Sequence, residues 1–446
     1  MEPIQITALL IFLIAVAFII WGRIDRAVIG MVGVVFMVLF GVMTEIEAFL
    51  FVDWNVIAIL FSIWIIAGYF GETGIPGYLA VTMLRISRNN IAIFITLMGA
   101  LSAFISMFVD NVVVILMMAP VVFHITQKMK LPSFPFLIFI GLASNLMGTA
   151  LLLGDLPPQM LHSVAAIEFP EFVWQMGRPS SLIILTITFL VAAYLFYQFR
   201  FRKMYAESII DDKILKEITG DSSSEGIKNK NFAILVVGVF LAAIIAMSFR
   251  QFIGLHLGFI AFTGMIVLIV LTEIFQKKLG SPDFEKIVDA TDMRTLFFYI
   301  TLFALVGGIN HVGIIKMIAD AISIYIQNNL AIGTTLIYWV TAPIVGVVEH
   351  DAYILAFLYL IRDIAEVSNV NPWPLYWAVV WAGTLGSNLT IAGAPALYVA
   401  QSICEKEDCK TVGLKEFLRY TVPFVMITLI VCFILMMVIW VFPFAL

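Results

Sequence analysis

Apolar residues run along this chain in blocks rather than in alternation. Eight blocks are long enough to cross a membrane as helices: 4–22, 27–44, 54–70, 181–199, 232–248, 253–275, 294–310 and 420–445. Two longer apolar stretches, 91–127 and 330–361, carry polar residues at their midpoints. Two more, 134–167 and 374–402, start apolar and then break at Gly and Pro. One long hydrophilic piece, 200–231, divides the chain and reads as a linker. The pattern predicts an all-α polytopic membrane protein, because hydrocarbon offers a backbone no partner outside its own helix. The first block lacks a basic leader and a small-residue cleavage site, so it reads as a retained span.

Composition sharpens this picture. Of 446 residues, 62% are hydrophobic and 12% charged, with a net charge of −5. Soluble domains are about half apolar and a quarter charged. The acidic balance suggests no nucleic-acid partner. Cys404, Cys409 and Cys432 make neither a disulfide framework nor a zinc pattern. No G-x-x-x-x-G-K-[ST] cradles ATP and no H-E-x-x-H binds zinc. No cofactor is expected, and energy should come from a gradient of H⁺ or Na⁺. His124, His162, His256 and His311 are isolated and read as satisfied histidines within the helix bundle.

Charge supplies an orientation. If 91–127 and 330–361 are hairpins that re-emerge where they entered, and each broken segment crosses once, 21 of the 25 Lys and Arg residues fall on one face. The positive-inside rule makes that face cytoplasmic, with the linker on it and both termini outside.

The halves also match each other. Shifting the sequence by 239 residues lays "NNIAIFITL" (89–97) on "NNLAIGTTL" (328–336), with at least nineteen identities between Asp53/Asp292 and Gly154/Gly393. A duplication is the reading, with a first repeat over 1–199 and a second over 232–446. Five crossings separate each segment from its copy, so the copies should face opposite ways. Inverted repeats with broken helices at the midplane are a mark of secondary transporters.

Four polar features then fall at matched places. "FISMFVDNVVVILMMAP" (104–120) carries Asp110 and Asn111 in its centre, and "VGVVEHDAYILAFLYL" carries Glu349, His350 and Asp351. A carboxylate at mid-bilayer costs about 2.5–3.5 kcal/mol even on the lenient insertion scale, so it marks a cavity or a site. Asp110 could equally cap the helix that follows it. The breaks hold Ser144, Asn145, Gly148, Thr149, Gly154, Asp155, Pro157 and Pro158 in one half, and Gly386, Ser387, Asn388, Thr390, Gly393 and Pro395 in the other. Interrupted helices expose carbonyls and amides that attract ions. A Na⁺ site at Asp110, Asn111, Asn145 and Asn388 is one candidate. His350 between two carboxylates is a candidate pH-sensitive group.

These motifs resemble the ion transporter superfamily, most closely its arsenite permease / sodium–proton antiporter (ArsB/NhaD) branch with P-protein relatives. The matching stretches are "DWNVIAILFSIWIIAGYFGETG", "LSAFISMFVDNVVVILMMAPV", "ASNLMGTALLLGDLPPQ" and "GTLGSNLTIAGAPA". The resemblance implies an elevator-type fold, usually dimeric, in which two hairpins and two broken helices slide past a fixed scaffold. It assigns Asp110 and Asn111 to the family's hairpin Asp-Asn, and Asn145, Gly148, Thr149, Gly154, Asp155 and Pro157 to its first break. Ser387, Asn388, Thr390 and Gly393 fall on the second. The chain departs from the family at Leu156, inserted between Asp155 and Pro157, at Met147, and at the Glu349-His350-Asp351 tip.

The expected function is secondary active transport, most simply cation/proton antiport or arsenite-type efflux, and not an enzyme. Asp110 and Glu349 are the expected coupling sites. The alternative is Na⁺-coupled transport of a small organic or inorganic anion such as citrate, a dicarboxylate or sulfate. Dicarboxylate carriers of the superfamily carry Ser-Asn-Thr at both tips, which this chain lacks. A channel and an intramembrane aspartyl protease are the rivals from other classes; "LLLGD" (151–155) lacks the first Gly of the protease G-x-G-D.

Overall fold

The computed structural model describes the chain apart from residues 22, 89, 206–225, 228, 321–328, 349, 368–369, 392, 408–411 and 446, and the side chains of 20, 367 and 445. Most of the hydrophilic segment 200–231, Cys409 and Glu349 therefore lie outside the described residues.

The chain is a helical membrane bundle. The first half folds as α1 (Pro3–Trp21), α2 (Arg26–Leu39), α3 (Glu45–Leu50), α4 (Trp54–Glu72), α5 (Ile75–Ile86), α6 (Ile91–Ser106), α7 (Asn111–Met129), α8 (Phe134–Gly148), α9 (Leu156–Ala165) and α10 (Ser181–Phe196). The second contains α11 (Lys230–Ser248), α12 (Leu257–Ile274), α13 (Phe284–Asp289), α14 (Met293–His311), α15 (Leu330–Val345), α16 (His350–Val367), α17 (Trp373–Ser387), α18 (Pro395–Glu407) and α19 (Leu414–Met436). Among the described residues, seven helices are long and apolar enough to span a membrane. Among the described residues, one short ribbon that the sequence pattern does not predict pairs β1 (Trp174–Gln175) with β2 (Arg178–Pro179). Its turn residues Met176 and Gly177 both have positive φ, as a two-residue hairpin turn requires.

Helices begin where capping side chains permit. Asp53 and Asp292 precede α4 and α14, and Asn90 and Asn329 precede α6 and α15. Asn90 Oδ1 accepts from Ile93 N at 3.0 Å, and Asn329 Oδ1 accepts from Ile332 N at 3.0 Å. The shift of 239 carries α3 onto α13, α4 onto α14, α6 onto α15 and α8 onto α17 with identical bounds.

Packing interlocks the halves. α4 lies against α11 and α12 of the second half, while α14 lies against α1, α2 and α3 of the first. Within each half two helices run side by side in the same direction. Ser102 Oγ reaches Ile140 O at 3.4 Å and Ser106 Oγ reaches Ser144 O at 2.8 Å, so α6 and α8 advance together. Gly99 makes this approach possible: a Cβ there would stand 2.3 Å from the Phe139 ring.

Candidate functional site

The ends of these parallel pairs build the site. α8 stops at Gly148 and α9 starts at Leu156, so residues 149–155 cross the interior without helix. Asp155 caps α9, its Oδ1 accepting from Leu156 N at 2.9 Å. Pro157 and Pro158 occupy the first turn, where a missing N–H costs nothing. Gly154 is held against backbone: a Cβ would come within 2.2 Å of Ser106 O and 2.5 Å of Gly148 O. Gly393 has the same surroundings in the other half, with Val345 O and Ser387 O each 2.5 Å from such a Cβ. Thr390 Oγ1 donates to Gly346 O at 2.5 Å, tying the second break to the end of α15.

Between the breaks runs a buried polar seam. Asn111 Nδ2 donates to Asn145 Oδ1 and to Asp155 Oδ2, both at 2.8 Å. Asn145 Nδ2 faces Ser387 Oγ at 3.0 Å, Asn388 Oδ1 at 3.1 Å and Thr384 O at 3.2 Å. Thr149 and Thr384 share a hydrogen bond between hydroxyls at 2.7 Å. The repeat shift turns Asn145 into Thr384 and Thr149 into Asn388. The contacts 145–388 and 149–384 are therefore copies of one another, the reciprocal pattern that a two-fold relation produces. Amide oxygens in this seam each keep a second lone pair.

A cavity of about 480 Å³ reaches this seam from one side. Asp110, Asn111, Asp155 and His350 line it, and Arg26, Glu72 and Asp292 line it as well. Asp110 does cap α7: its Oδ1 accepts from Val112 N at 2.9 Å and Val113 N at 3.3 Å. The acid is thus both a cap and a cavity wall. His350 Nε2 lies 3.3 Å from Asp351 Oδ1, and both residues are buried. Neither ring nitrogen of His350 has a hydrogen-bond partner among the described residues, nor has Asn388 Nδ2. Buried polar atoms left open in this way ask for water or an ion.

Not every candidate faces that space. Asp351, Ser144, Asn145, Gly148, Thr149, Gly154, Pro157, Ser387, Asn388, Thr390 and Gly393 do not line the cavity. Asn145, Thr149, Ser387 and Asn388 form the seam behind it, and Ser144 Oγ turns back to Gly141 O at 3.1 Å. Glu349 is outside the described residues. No cluster of three His, Cys, Asp or Glu suited to a metal ion occurs among the described residues. Sequence reasoning passed over Ser106, Thr384, Arg26 and Asp292. In the sequence Arg26 is only one of the basic residues of one face, and Asp292 only a repeat identity with Asp53. Thr384 is the repeat counterpart of Asn145, a signal that could have found it.

A polytopic helical bundle with two interrupted helices meeting in a polar centre belongs among membrane transporters. The sequence pattern of the family described as citrate transporter (CitMHS) matches residues 16–382, and the chain belongs to that family of the ion transporter superfamily. It is a secondary transporter and not an enzyme. Similar proteins include the uncharacterized transporter Rv2684 of Mycobacterium tuberculosis, 24% identical over 424 residues, covering 93% of this chain and 94% of that one. The P protein of Homo sapiens is 23% identical over 448 residues, 84% of this chain, which spans 52% of that longer protein. Among solved structures, the YdaH transporter of Alcanivorax borkumensis shares the fold with a TM-score of 0.57 at 15% identity, over 91% of this chain and 87% of that one.

Proposed function

We propose that the protein is an ion-coupled exchanger of the elevator kind, with Asp110, Asn111, Asp155 and His350 as its coupling site and Glu349 as a further member. The observation that carries this reading is the cavity that brings two buried carboxylates, an amide and a histidine together at the starts of α7, α9 and α16. The C-terminal ends of α6 and α8 converge behind it, at the seam; the attraction for a cation comes from the carboxylate and amide oxygens of the cavity wall rather than from a helix dipole. A cation and a proton then compete for the same oxygens, which is the chemistry of antiport. Na⁺ would draw on Asp110, Asn111, Asn145 and Asn388, with Asp155 beside them. Arsenite-type efflux uses the same pocket with a neutral cargo.

The repeats are inverted in this reading. Their reciprocal seam and matching helix bounds support it, and so does the meeting of α8 and α17 through residues near their C-terminal ends. The mouth of the cavity, beside Arg26, faces the cytoplasm, both termini lie outside, and the protein works in the cell membrane as a homodimer. The seam and the cavity wall formed by Asp110, Asn111, Asp155 and His350 belong to the moving part, and α1, α2, α4, α11, α12 and α14 to the scaffold, which forms the facing wall.

A second reading is Na⁺-coupled transport of a small anion such as citrate. The family's description favours it, and so does Arg26, a cation in the cavity wall. Purified protein in liposomes separates the two. Na⁺ or Li⁺ flux, or arsenite efflux, against a pH gradient supports exchange. Citrate or succinate uptake that requires Na⁺, with no cation/proton exchange, would replace it.

A further inference from the structure

Two contacts close one side of the molecule. Asp53 Oδ2 accepts a hydrogen bond from Ser163 Oγ, joining the start of α4 to the last turn of α9. A few residues on, Glu168 takes both Nε and Nη2 of Arg250, from the segment after α11. There α4 and α9 pack directly against each other.

The repeat puts the same residues on the other side. Asp292 is the counterpart of Asp53, and Ser402 on α18 is the counterpart of Ser163. The caps are alike: Asp53 Oδ1 accepts from Val56 N at 3.0 Å, and Asp292 Oδ1 accepts from Thr295 N at 3.1 Å. The second carboxylate oxygens differ. Asp292 Oδ2 is turned onto its own helix and accepts from Thr295 Oγ1 at 2.6 Å. Arg26 Nη2 donates to that same hydroxyl at 2.8 Å. Between Asp292 and Thr295 on one side and Pro395, Tyr398 and Val399 of α18 on the other lies a space of about 500 Å³. Where α4 and α9 touch, α14 and α18 stand apart.

We propose that Asp292 and Ser402 form the inner closing contact of the transport cycle, made when the Asp53–Ser163 contact is broken. This rests on the inverted-repeat reading above. If the halves exchange conformations, the carboxylate of Asp292 leaves Thr295 and takes the hydroxyl of Ser402. The space beside α18 closes, and a path opens between α4 and α9. Thr295 and Arg26 hold the carboxylate in its open-side position until then. Val56, the counterpart of Thr295, has no hydroxyl, so Asp53 has no such holding contact. The two sides therefore differ in how their latches are released.

The test uses the full chain with Cys404, Cys409 and Cys432 changed to Ser. Asp53→Cys/Ser163→Cys and Asp292→Cys/Ser402→Cys are each treated with a short thiol-to-thiol crosslinker in liposomes. Both pairs should link, both links should stop transport, and a chain carrying all four cysteines should never hold both links at once. If the first pair links and stops transport, but the second pair never links, the contact is not the inner closure and alternating access still stands. Both links in one molecule would overturn the contact and the alternating reading together. Should the cysteine background fold poorly, Ser402→Ala in the natural chain provides a second measurement. It should raise labelling of Met117→Cys on the cavity wall, measured above the signal of the natural cysteines alone, by at least twofold from the mouth side. Unchanged labelling overturns the proposal.

Discussion

Asn145 and Thr384 occupy the same place in the two halves of the chain, 239 residues apart, and they meet: the amide of Asn145 donates to the carbonyl of Thr384 at 3.2 Å. In the proposed two-fold relation of the halves, a residue touches its own counterpart only on the axis relating them. The amide side chain therefore stands where the halves join. Substituting Asn145 by Leu removes the acceptor for Asn111 and the donor for Asn388, leaving buried groups unpaired at about 1–3 kcal/mol each. The variant should lose several degrees of melting temperature in detergent and lose transport. An unchanged melt would show that the seam is held by other contacts.

Asp110 combines two roles that a single substitution can separate. Asparagine keeps an oxygen for the amides of Val112 and Val113 and removes the charge. Asp110→Asn should fold normally, at a cost of about 1 kcal/mol or less, yet transport in proteoliposomes should no longer depend on pH. Retained pH dependence would take Asp110 out of the coupling step.

Glycine is required at 154 by space rather than by backbone angle. A methyl group 2.2 Å from a carbonyl oxygen forces the α8–α9 break away from α6. Gly154→Ala and Gly393→Ala should each cut the yield of folded protein severely. Gly238→Ala on α11, where nothing lies within 4 Å, should be neutral or gain up to about 1 kcal/mol of helix stability. Equal yields for all three would mean that the breaks relax freely.

Outside the membrane-spanning helices, Glu47 gives a pH signature. Thr44 donates its backbone N–H and its hydroxyl to this carboxylate, at 2.8 and 2.9 Å, and lowers its pKa below the usual glutamate value. A lowered folded-state pKa means that the stabilisation is present above the unfolded pKa and disappears as pH falls through the folded one. Glu47→Gln should therefore melt earlier than the natural chain at neutral pH and alike in acid. A gap that persists in strong acid would assign the stabilisation to something other than charge.

Much of this was legible in the sequence. Apolar blocks gave the helices to within a few residues, since membrane helices must satisfy their backbones locally. The breaks were visible because Gly154 and Gly393 weaken a helix, and Pro157 and Pro395 can open one but not continue the one before. The polar seam was legible only in part. Asn145 and Asn388 were marked as unusual, but their partner Thr384 reads as an ordinary helical threonine until the halves are brought together. Arg26 was likewise hidden: next to Arg23 it looks like a boundary charge, and only the packing of α2 on α14 carries it to the cavity wall.

The interlocking of the halves has a consequence for the origin and assembly of the chain. Each half lends its most enclosed spanning helix, α4 or α14, to the other's outer helices for cover. Synthesised alone, either half would leave that helix facing lipid, with its close-packed surface unmatched. On the proposed inverted-repeat reading, a single-length ancestor would have been stable only as a pair of copies inserted in opposite senses, and a modern chain cut within 206–225 should work only when both fragments are made in the same cell.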